Sequence, residues 1–136
     1  MQRPLGVSIL GFLSLVSGAL SLLKGLIWLG FGGLVAGATA FASPVAGAMI
    51  GGVAVIFGGL AILTGLFSLL FAWGAFSLKP WAWSLGVATH GFNLVWSVLV
   101  VIGPGLLRGQ LVTIVISAIV VLYLTRPEIK LAFGKG

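Results

Sequence analysis

The stretch GGVAVIFGGLAILTGLFSLLFAWGA, residues 51–75, decides the fold of this chain. Small residues recur in it at alternating spacings of three and four: Gly51, Ala54, Gly58, Ala61, Gly65, Ser68, Ala72 and Ala75. A mean spacing of about 3.5 places these small residues along one seam of a helix, and large apolar residues fill the positions between them. In lipid, such a seam lets a second helix approach closely while the bulky side chains meet the acyl chains. The pattern therefore predicts a membrane helix that packs along its small residues.

The composition of the whole chain favours the same class of protein. Of its 136 residues, 60% are hydrophobic and 6% are charged, and the mean hydropathy is +1.31. Soluble domains contain about 25% charged residues, so the chain is predicted to be an integral membrane protein that resides in a lipid bilayer. The length suits one compact helical domain over residues 1–136.

The net charge of +6 does not indicate a nucleic-acid partner. The seven basic residues stand singly at the ends of apolar runs, where they meet lipid headgroups, and they form no patch. The chain has no cysteine, which excludes disulfides and thiolate metal sites and leaves the redox state of its compartment open.

Four apolar runs predict helices over about residues 4–28, 45–78, 81–102 and 106–125. The predicted fold class is all-α, an integral membrane four-helix bundle made of two antiparallel hairpins. Residues 30–44, rich in glycine and alanine, are predicted to form the outer connection between helices one and two. Residues 128–136 are predicted to be a short basic tail at the membrane surface.

Helices one and two are predicted to be close neighbours, because helix one repeats the spacing of small residues. Its small residues are Gly11, Ser14, Gly18, Ser21 and Gly25. The residues assigned to helix packing are Gly11, Ser14, Gly18, Gly51, Gly58 and Gly65.

The basic residues also predict the orientation. Five lie on one side of the predicted bundle and two on the other: Arg3, Lys79, Arg126, Lys130 and Lys135 against Lys24 and Arg108. Because cytoplasmic loops carry an excess of Lys and Arg, both termini are predicted to be cytoplasmic. The expected location is a prokaryotic inner membrane or an energy-transducing membrane.

The two predicted hairpins resemble each other weakly. An offset of 76 residues places Arg3-Pro4 on Lys79-Pro80 and Ser14 on His90. The same offset places Ser17 on Asn93 and Ser21 on Ser97, whereas the second helices of the two hairpins do not stay in this register. An ancient duplication is suggested by this pattern.

The inventory of reactive side chains is thin. Glu128 is the only carboxylate side chain and His90 is the only histidine, so one chain assembles neither a carboxylate pair nor a metal cluster nor a Ser/His/Asp arrangement. No catalytic and no metal-binding residue is predicted, and the chain is not expected to be an enzyme.

His90 is the exception that receives two interpretations. It lies about 13–15 Å along helix three from Trp81, near the predicted bilayer midplane, where a neutral imidazole is expected. It either hydrogen-bonds polar groups of neighbouring helices or binds the metal of a chlorophyll-type pigment or a haem.

A layer of polar side chains is predicted around His90. Counted from the basic-Pro pairs, the residues Ser14, Ser68, His90 and Ser117 are expected at similar depths in the membrane, and Asn93 is assigned to the same polar layer. Unpaired polar groups in hydrocarbon cost several kcal/mol, so His90 is predicted to point into the bundle and to reach a residue on another helix.

Three motifs carry a resemblance to known proteins. Arg3-Pro4-Leu5-Gly6-Val7, Lys79-Pro80-Trp81-Ala82-Trp83 and the stretch YLTRPEIK at residues 123–130 lie where the chain meets the headgroups. With them the chain resembles a group of uncharacterised small four-helix integral membrane proteins of bacteria and archaea. The resemblance implies four membrane helices and no activity.

Three functions follow from these observations. The first is a non-catalytic structural or assembly subunit of a larger membrane complex, with other membrane proteins as partners and no cofactor. The second is a subunit that binds a pigment or haem through His90. The third is a small homo-oligomeric channel or transporter. The oligomeric state itself is left open by the sequence.

Overall fold

The computed structural model describes residues 4–103 and 107–135, and the side chains among them except those of residues 107–109. Five helices follow one another: α1 Leu5–Ala42, α2 Pro44–Phe76, α3 Pro80–Ile102, α4 Leu107–Leu124 and α5 Pro127–Ala132. No strand occurs in the described parts of the chain, so the predicted all-α class is confirmed for them. Arg3, the side chain of Arg108, residues 104–105 between predicted helices three and four, and residue 106, the predicted start of helix four, lie outside these residues.

Three of the helices are long and apolar enough to cross a membrane. These are α1 with 38 residues, α2 with 33 and α3 with 23. Helix α4 has 18 residues and contains the shorter apolar stretch Gln110–Leu124. The described residues therefore contain three membrane-length helices, and the four-helix membrane bundle stays a prediction.

The chain divides into two compact units. One, here the hairpin unit, is Gly18–Leu66, and the other, here the terminal unit, consists of Met1–Ser17 and Phe67–Gly136. The hairpin unit contains the later part of α1 and the earlier part of α2. The prediction of a single domain over residues 1–136 is not tested by this division.

The predicted connection at residues 30–44 is wrong, because α1 continues to Ala42 and only Ser43 separates it from α2. The Ser43 carbonyl accepts a hydrogen bond from the Gly47 amide at 3.0 Å, and Pro44 follows as the first residue of α2, where its missing N–H costs nothing. Glycine and alanine were interpreted as loop residues. In the structure they serve close helix packing, since the position of a Cβ on Gly47 lies 2.7 Å from the Ala36 carbonyl oxygen.

In the hairpin unit, α1 and α2 pack antiparallel along their small residues. A Cβ built on Gly58 would lie 3.0 Å from the Gly25 carbonyl oxygen, and one built on Gly65 would lie 2.9 Å from the Gly18 carbonyl oxygen. Only glycine permits backbones this close. The predicted pairing of helices one and two is therefore confirmed. Gly51 makes an ordinary contact, with its Cβ position 3.4 Å from the Ala36 Cβ.

The terminal unit has the larger apolar core. It collects residues from every helix of the chain, each at most 4% exposed: Val7, Leu10, Phe71, Ala75, Ala82, Val120, Leu124, Ile129 and Phe133. The prediction of a surface tail after residue 128 is wrong in this respect, because α5 buries Ile129 and Phe133 in the core. These two residues are four apart, so they share one side of the short helix.

Two helix ends in the terminal unit close in the same way. After α2, the Leu78 amide donates to the Ala75 carbonyl and the Lys79 amide donates to the Gly74 carbonyl. After α5, Gly134 and Lys135 repeat this pair of bonds, which is the Schellman motif. The motif needs a left-handed residue, and Gly134 has φ 70° whereas Leu78 has φ 49°. A leucine in this conformation carries backbone strain that a glycine does not.

Candidate functional site: a buried polar layer

The interior of the terminal unit contains polar side chains as well as the apolar core. Those less than 9% exposed include five serines, a threonine, an asparagine and the histidine: Ser14, Ser17, Ser68, Thr89, His90, Asn93, Ser97 and Ser117. Side chains of this kind are mostly exposed in proteins, and a buried group of them needs hydrogen-bond partners. The five predicted members of the polar layer are all in this set.

Helix α3 supplies the largest share of these residues. Its buried face consists of Ala82, Gly86, Thr89, His90, Asn93 and Ser97. The first turns of this face are small and apolar, and the later turns are polar. Helix α3 thus turns its polar side inward, opposite to the arrangement in a soluble helical domain.

His90 is completely buried and contacts two other helices. Its Nε2 atom lies 3.0 Å from the Oγ atom of Ser14 on α1, within hydrogen-bond distance. On α2, the ring of Phe71 meets the imidazole edge to face, with centroids 5.7 Å apart and an interplanar angle of 78°. The prediction that His90 points inward and reaches a residue on another helix is confirmed.

The hydrogen bond between these two atoms has two possible directions, because its donor depends on the tautomer of the imidazole. In one tautomer the Ser14 hydroxyl donates to Nε2, and in the other Nε2 donates to the hydroxyl. If the hydroxyl donates to Nε2, the imidazole hydrogen is carried by Nδ1. Nδ1 is then a donor, and it is buried.

Four buried polar atoms of this layer have no hydrogen-bond partner among the described protein groups. They are Nδ1 of His90, Nδ2 of Asn93, Oγ of Ser68 and Oγ of Ser117. A single buried group left unpaired costs about 1–3 kcal/mol. Four such atoms in one small unit are too costly to be incidental.

The register of the helices brings these atoms to one level. A Cβ built on Gly86 would contact both Phe71 and Leu124, so these three residues lie side by side. Asn93 comes seven residues after Gly86 on α3, and Ser117 comes seven residues before Leu124 on the antiparallel α4. Both therefore lie about 10 Å along their helices from the same point, at 1.5 Å per residue.

Ser68 belongs to the same level. It precedes Phe71 by three residues on α2, so both lie on one side of that helix. Because the Phe71 ring touches His90, Ser68 lies within about one turn of the imidazole along the helix axes. Spacing along the helices thus places residues of α1, α2, α3 and α4 in one polar layer.

The basic end of the terminal unit is held by aromatic side chains. The indole N–H of Trp83 donates to the Leu124 carbonyl at 2.8 Å, which ties α3 to the last turn of α4. Lys130 of α5 lies over the same indole ring, 5.4 Å from its centroid. Trp83 and Lys130 belong to the motifs that were predicted to lie at the headgroups. In the structure they also pack the end of the unit.

Sequence reasoning missed several glycines that matter for packing. Gly32 faces Ala54 so closely that a Cβ would collide with its methyl group, and Gly47 lies against Ala36 and Ala40. Gly32 lies in the predicted connection, and Gly47 lies in predicted helix two but is not among the residues assigned to helix packing. Their spacing from Gly25 and Gly51, seven and four residues, was the available signal.

Comparison of the chain with models of protein families, with curated proteins and with solved structures finds no match. Among the described residues, no group of three metal-ligating side chains exists. The arrangement of residues therefore has to carry the functional argument by itself.

Proposed function

We propose that this chain is a small multi-pass membrane protein that serves as a non-catalytic structural or assembly subunit of a larger membrane complex. The observation that carries the proposal is an unused glycine face on α1. Gly30, Gly33 and Gly37 lie within about 60° of one another around the helix, and no atom lies within 4 Å of where their Cβ atoms would be.

The glycines of this face lower the stability of the helix, and no contact among the described residues compensates for that loss. Each glycine in a helix interior is about 0.5–1 kcal/mol less favourable than alanine. The glycines of the inner seam, such as Gly25 and Gly58, recover this cost through close backbone packing. The glycines of the outer face would gain the same compensation from a helix of another subunit that packs against them.

The membrane setting is supported by the side chains around that face. Phe31, Leu34 and Phe41 are 69%, 75% and 93% exposed, and no charged residue occurs from residue 25 to residue 78. Water would not tolerate so much exposed apolar surface, whereas lipid and a partner helix both accept it. Such a subunit fits a prokaryotic inner membrane or an energy-transducing membrane.

The pigment or haem alternative through His90 is weaker than the structural role. The imidazole is fully buried, its Nε2 atom is engaged by Ser14, and Phe71 lies against the ring. A flat macrocycle needs an open approach to the ligating nitrogen and a wide apolar slot beside it. The third alternative, a homo-oligomeric channel, uses the same outer face with a second copy as the partner.

Purification from the native membrane in mild detergent tests the proposal. We expect a colourless preparation that contains partner proteins in fixed ratio, identified by mass spectrometry. Gly33→Leu should release the partner, because the larger side chain fills the outer face. Gly91→Leu on α3 is the matched control, since Gly91 also has no atom within 4 Å of its Cβ position.

Three results would count against the proposal. A visible absorption band that disappears in His90→Leu would favour the pigment alternative. Recovery of copies of this chain alone would favour the homo-oligomer. Equal recovery of partners from both leucine variants would mean that the outer glycine face is not the interface.

The orientation is tested separately. The charge distribution supports both termini on the cytoplasmic side. A reporter that is active only in the cytoplasm should therefore be active when it is fused after residue 136, and a reporter that is active only after export should be inactive there. A reporter that reads as exported would overturn this topology, whatever the partner is.

A further inference from the structure

We propose that the polar layer of the terminal unit is a binding site for a small monovalent anion of the halide class. The site is formed by Ser68 of α2, His90 and Asn93 of α3, and Ser117 of α4. It does not depend on the assembly role proposed above, because it lies inside one unit of one chain.

The first argument is that these groups require a ligand. Each of the four atoms is buried and unpaired among the described groups, and the residues are at most 7% exposed. Native proteins leave few buried polar groups unsatisfied, and they usually satisfy them with an ordered water or an ion. Four such groups at one level of a helical unit form a ready-made set of contacts.

The second argument is that the groups are mainly hydrogen-bond donors. The Asn93 amide nitrogen can only donate, and it carries two hydrogens. The Nδ1 atom of His90 donates in the tautomer whose Nε2 accepts from Ser14, and this is the tautomer that we assign to the site. The hydroxyls of Ser68 and Ser117 can each donate one hydrogen bond. The layer thus offers five hydrogens, and its two hydroxyl oxygens are the only acceptors among the four atoms.

The donor surplus distinguishes an anion from water. A water molecule would bring two more hydrogens into a site that already has too few acceptors. A halide accepts hydrogen bonds in several directions and donates none, so it matches the groups present. A metal cation is disfavoured, because it would face N–H groups and because no carboxylate lies in the layer.

The charge of the chain agrees with this assignment. The net charge is +6, and the single carboxylate side chain, Glu128, lies at the start of α5. An anion in an apolar interior is therefore opposed by no negative group in the layer. Neutral donors hold it, and the distant basic residues contribute a favourable potential.

The decisive measurement is the halide dependence of the unmodified protein, purified in detergent. Chloride-35 line broadening should appear on addition of protein and should be displaced by bromide. The melting temperature should rise by about 4 °C when bromide replaces gluconate at ten times its dissociation constant and at fixed ionic strength. A response that is absent, or that grows without saturation, would overturn the proposal and leave water as the occupant.

Matched variants locate the effect. Ser68→Ala should reduce the bromide affinity at least tenfold, because it removes one donor from the site. Ser77→Ala is the control: it lies outside the layer, is exposed, and donates to the Trp73 carbonyl at 3.1 Å. If both alanine variants respond to bromide like the parent, the anion binds elsewhere and the assignment is wrong. If Ser68→Ala does not fold, Asn93→Leu provides the same comparison, and the line broadening of the parent decides whether a halide binds at all.

Discussion

Substitution of neighbouring glycines on α2 tests the packing of the hairpin unit directly. A Cβ on Gly58 would lie 2.7 Å from Leu29 Cγ and 3.0 Å from the Gly25 carbonyl oxygen. The next residue, Gly59, has nothing within 4 Å of its Cβ position. The two residues share a helix, a sequence environment and a helix propensity, so one is a control for the other.

The magnitude follows from these distances. The optimal separation of non-bonded carbon atoms is about 3.5–4.0 Å, so alanine at Gly58 should push α1 and α2 apart by roughly 0.5–1 Å. Overpacking of this kind costs about 1–3 kcal/mol, offset by the gain of about 1 kcal/mol from replacing a helical glycine by alanine. Gly59→Ala has the same gain in helix propensity and no overpacking. We expect the two variants to differ by about 2 kcal/mol.

Thermal unfolding in detergent, followed by circular dichroism, measures the difference. Gly59→Ala should melt at or slightly above the temperature of the parent, and Gly58→Ala should melt roughly 5 °C below Gly59→Ala. Leucine at the same positions should widen the gap. If Gly58→Ala and Gly59→Ala melt together, the close approach of α1 and α2 does not exist and the seam argument fails.

Three further experiments test the terminal unit by the same unfolding assay. A double-mutant cycle with Ser14→Ala and His90→Leu should give a coupling energy of about 1 kcal/mol, and no coupling would mean that the Oγ–Nε2 contact is not a hydrogen bond. Gly86→Ala should destabilise by about 1–3 kcal/mol because Phe71 and Leu124 occupy the space, whereas Gly91→Ala should be neutral or stabilising. Leu78→Gly should change stability by less than about 1 kcal/mol, because relief of the left-handed strain offsets the loss of a partly buried side chain; a loss as large as that of a core leucine would contradict this.

The sequence predicted those features that depend on periodicity. Small residues at alternating spacings of three and four identified the contact between α1 and α2, and the depth counts placed Ser14 and His90, which the structure shows in contact, at a similar depth. Both predictions rest on the fixed rise and turn of a helix, which make sequence distance a measure of position.

The sequence failed where composition was used in place of periodicity. Residues 30–42 were assigned to a connection because they are rich in glycine and alanine, yet α1 continues through them. In a soluble protein those residues would weaken a helix, whereas against a second helix they permit the contact between Ala36 and Gly47. The buried side of α5 was missed for another reason, since Ile129 and Phe133 form a single pair too short to show a period.

The polar layer contains residues that the suggested internal repeat relates to one another. The offset of 76 residues relates Ser14 to His90, and these two residues are the ones in contact, so the first helices of the two hairpins meet at equivalent positions. The second helices match at an offset of 49 instead. At that offset Ser68 corresponds to Ser117 and Phe71 to Val120, and all four are completely buried.

Under the suggested repeat, the layer contains corresponding positions of both hairpins. Ser14 and His90 correspond in position but differ in side chain. Ser14 has a hydroxyl at the position that corresponds to the imidazole of His90. The imidazole uses one nitrogen for Ser14 and presents the second to the interior. The imidazole therefore adds to the layer a buried Nδ1 atom, three residues before Asn93 on α3, that has no partner among the described groups.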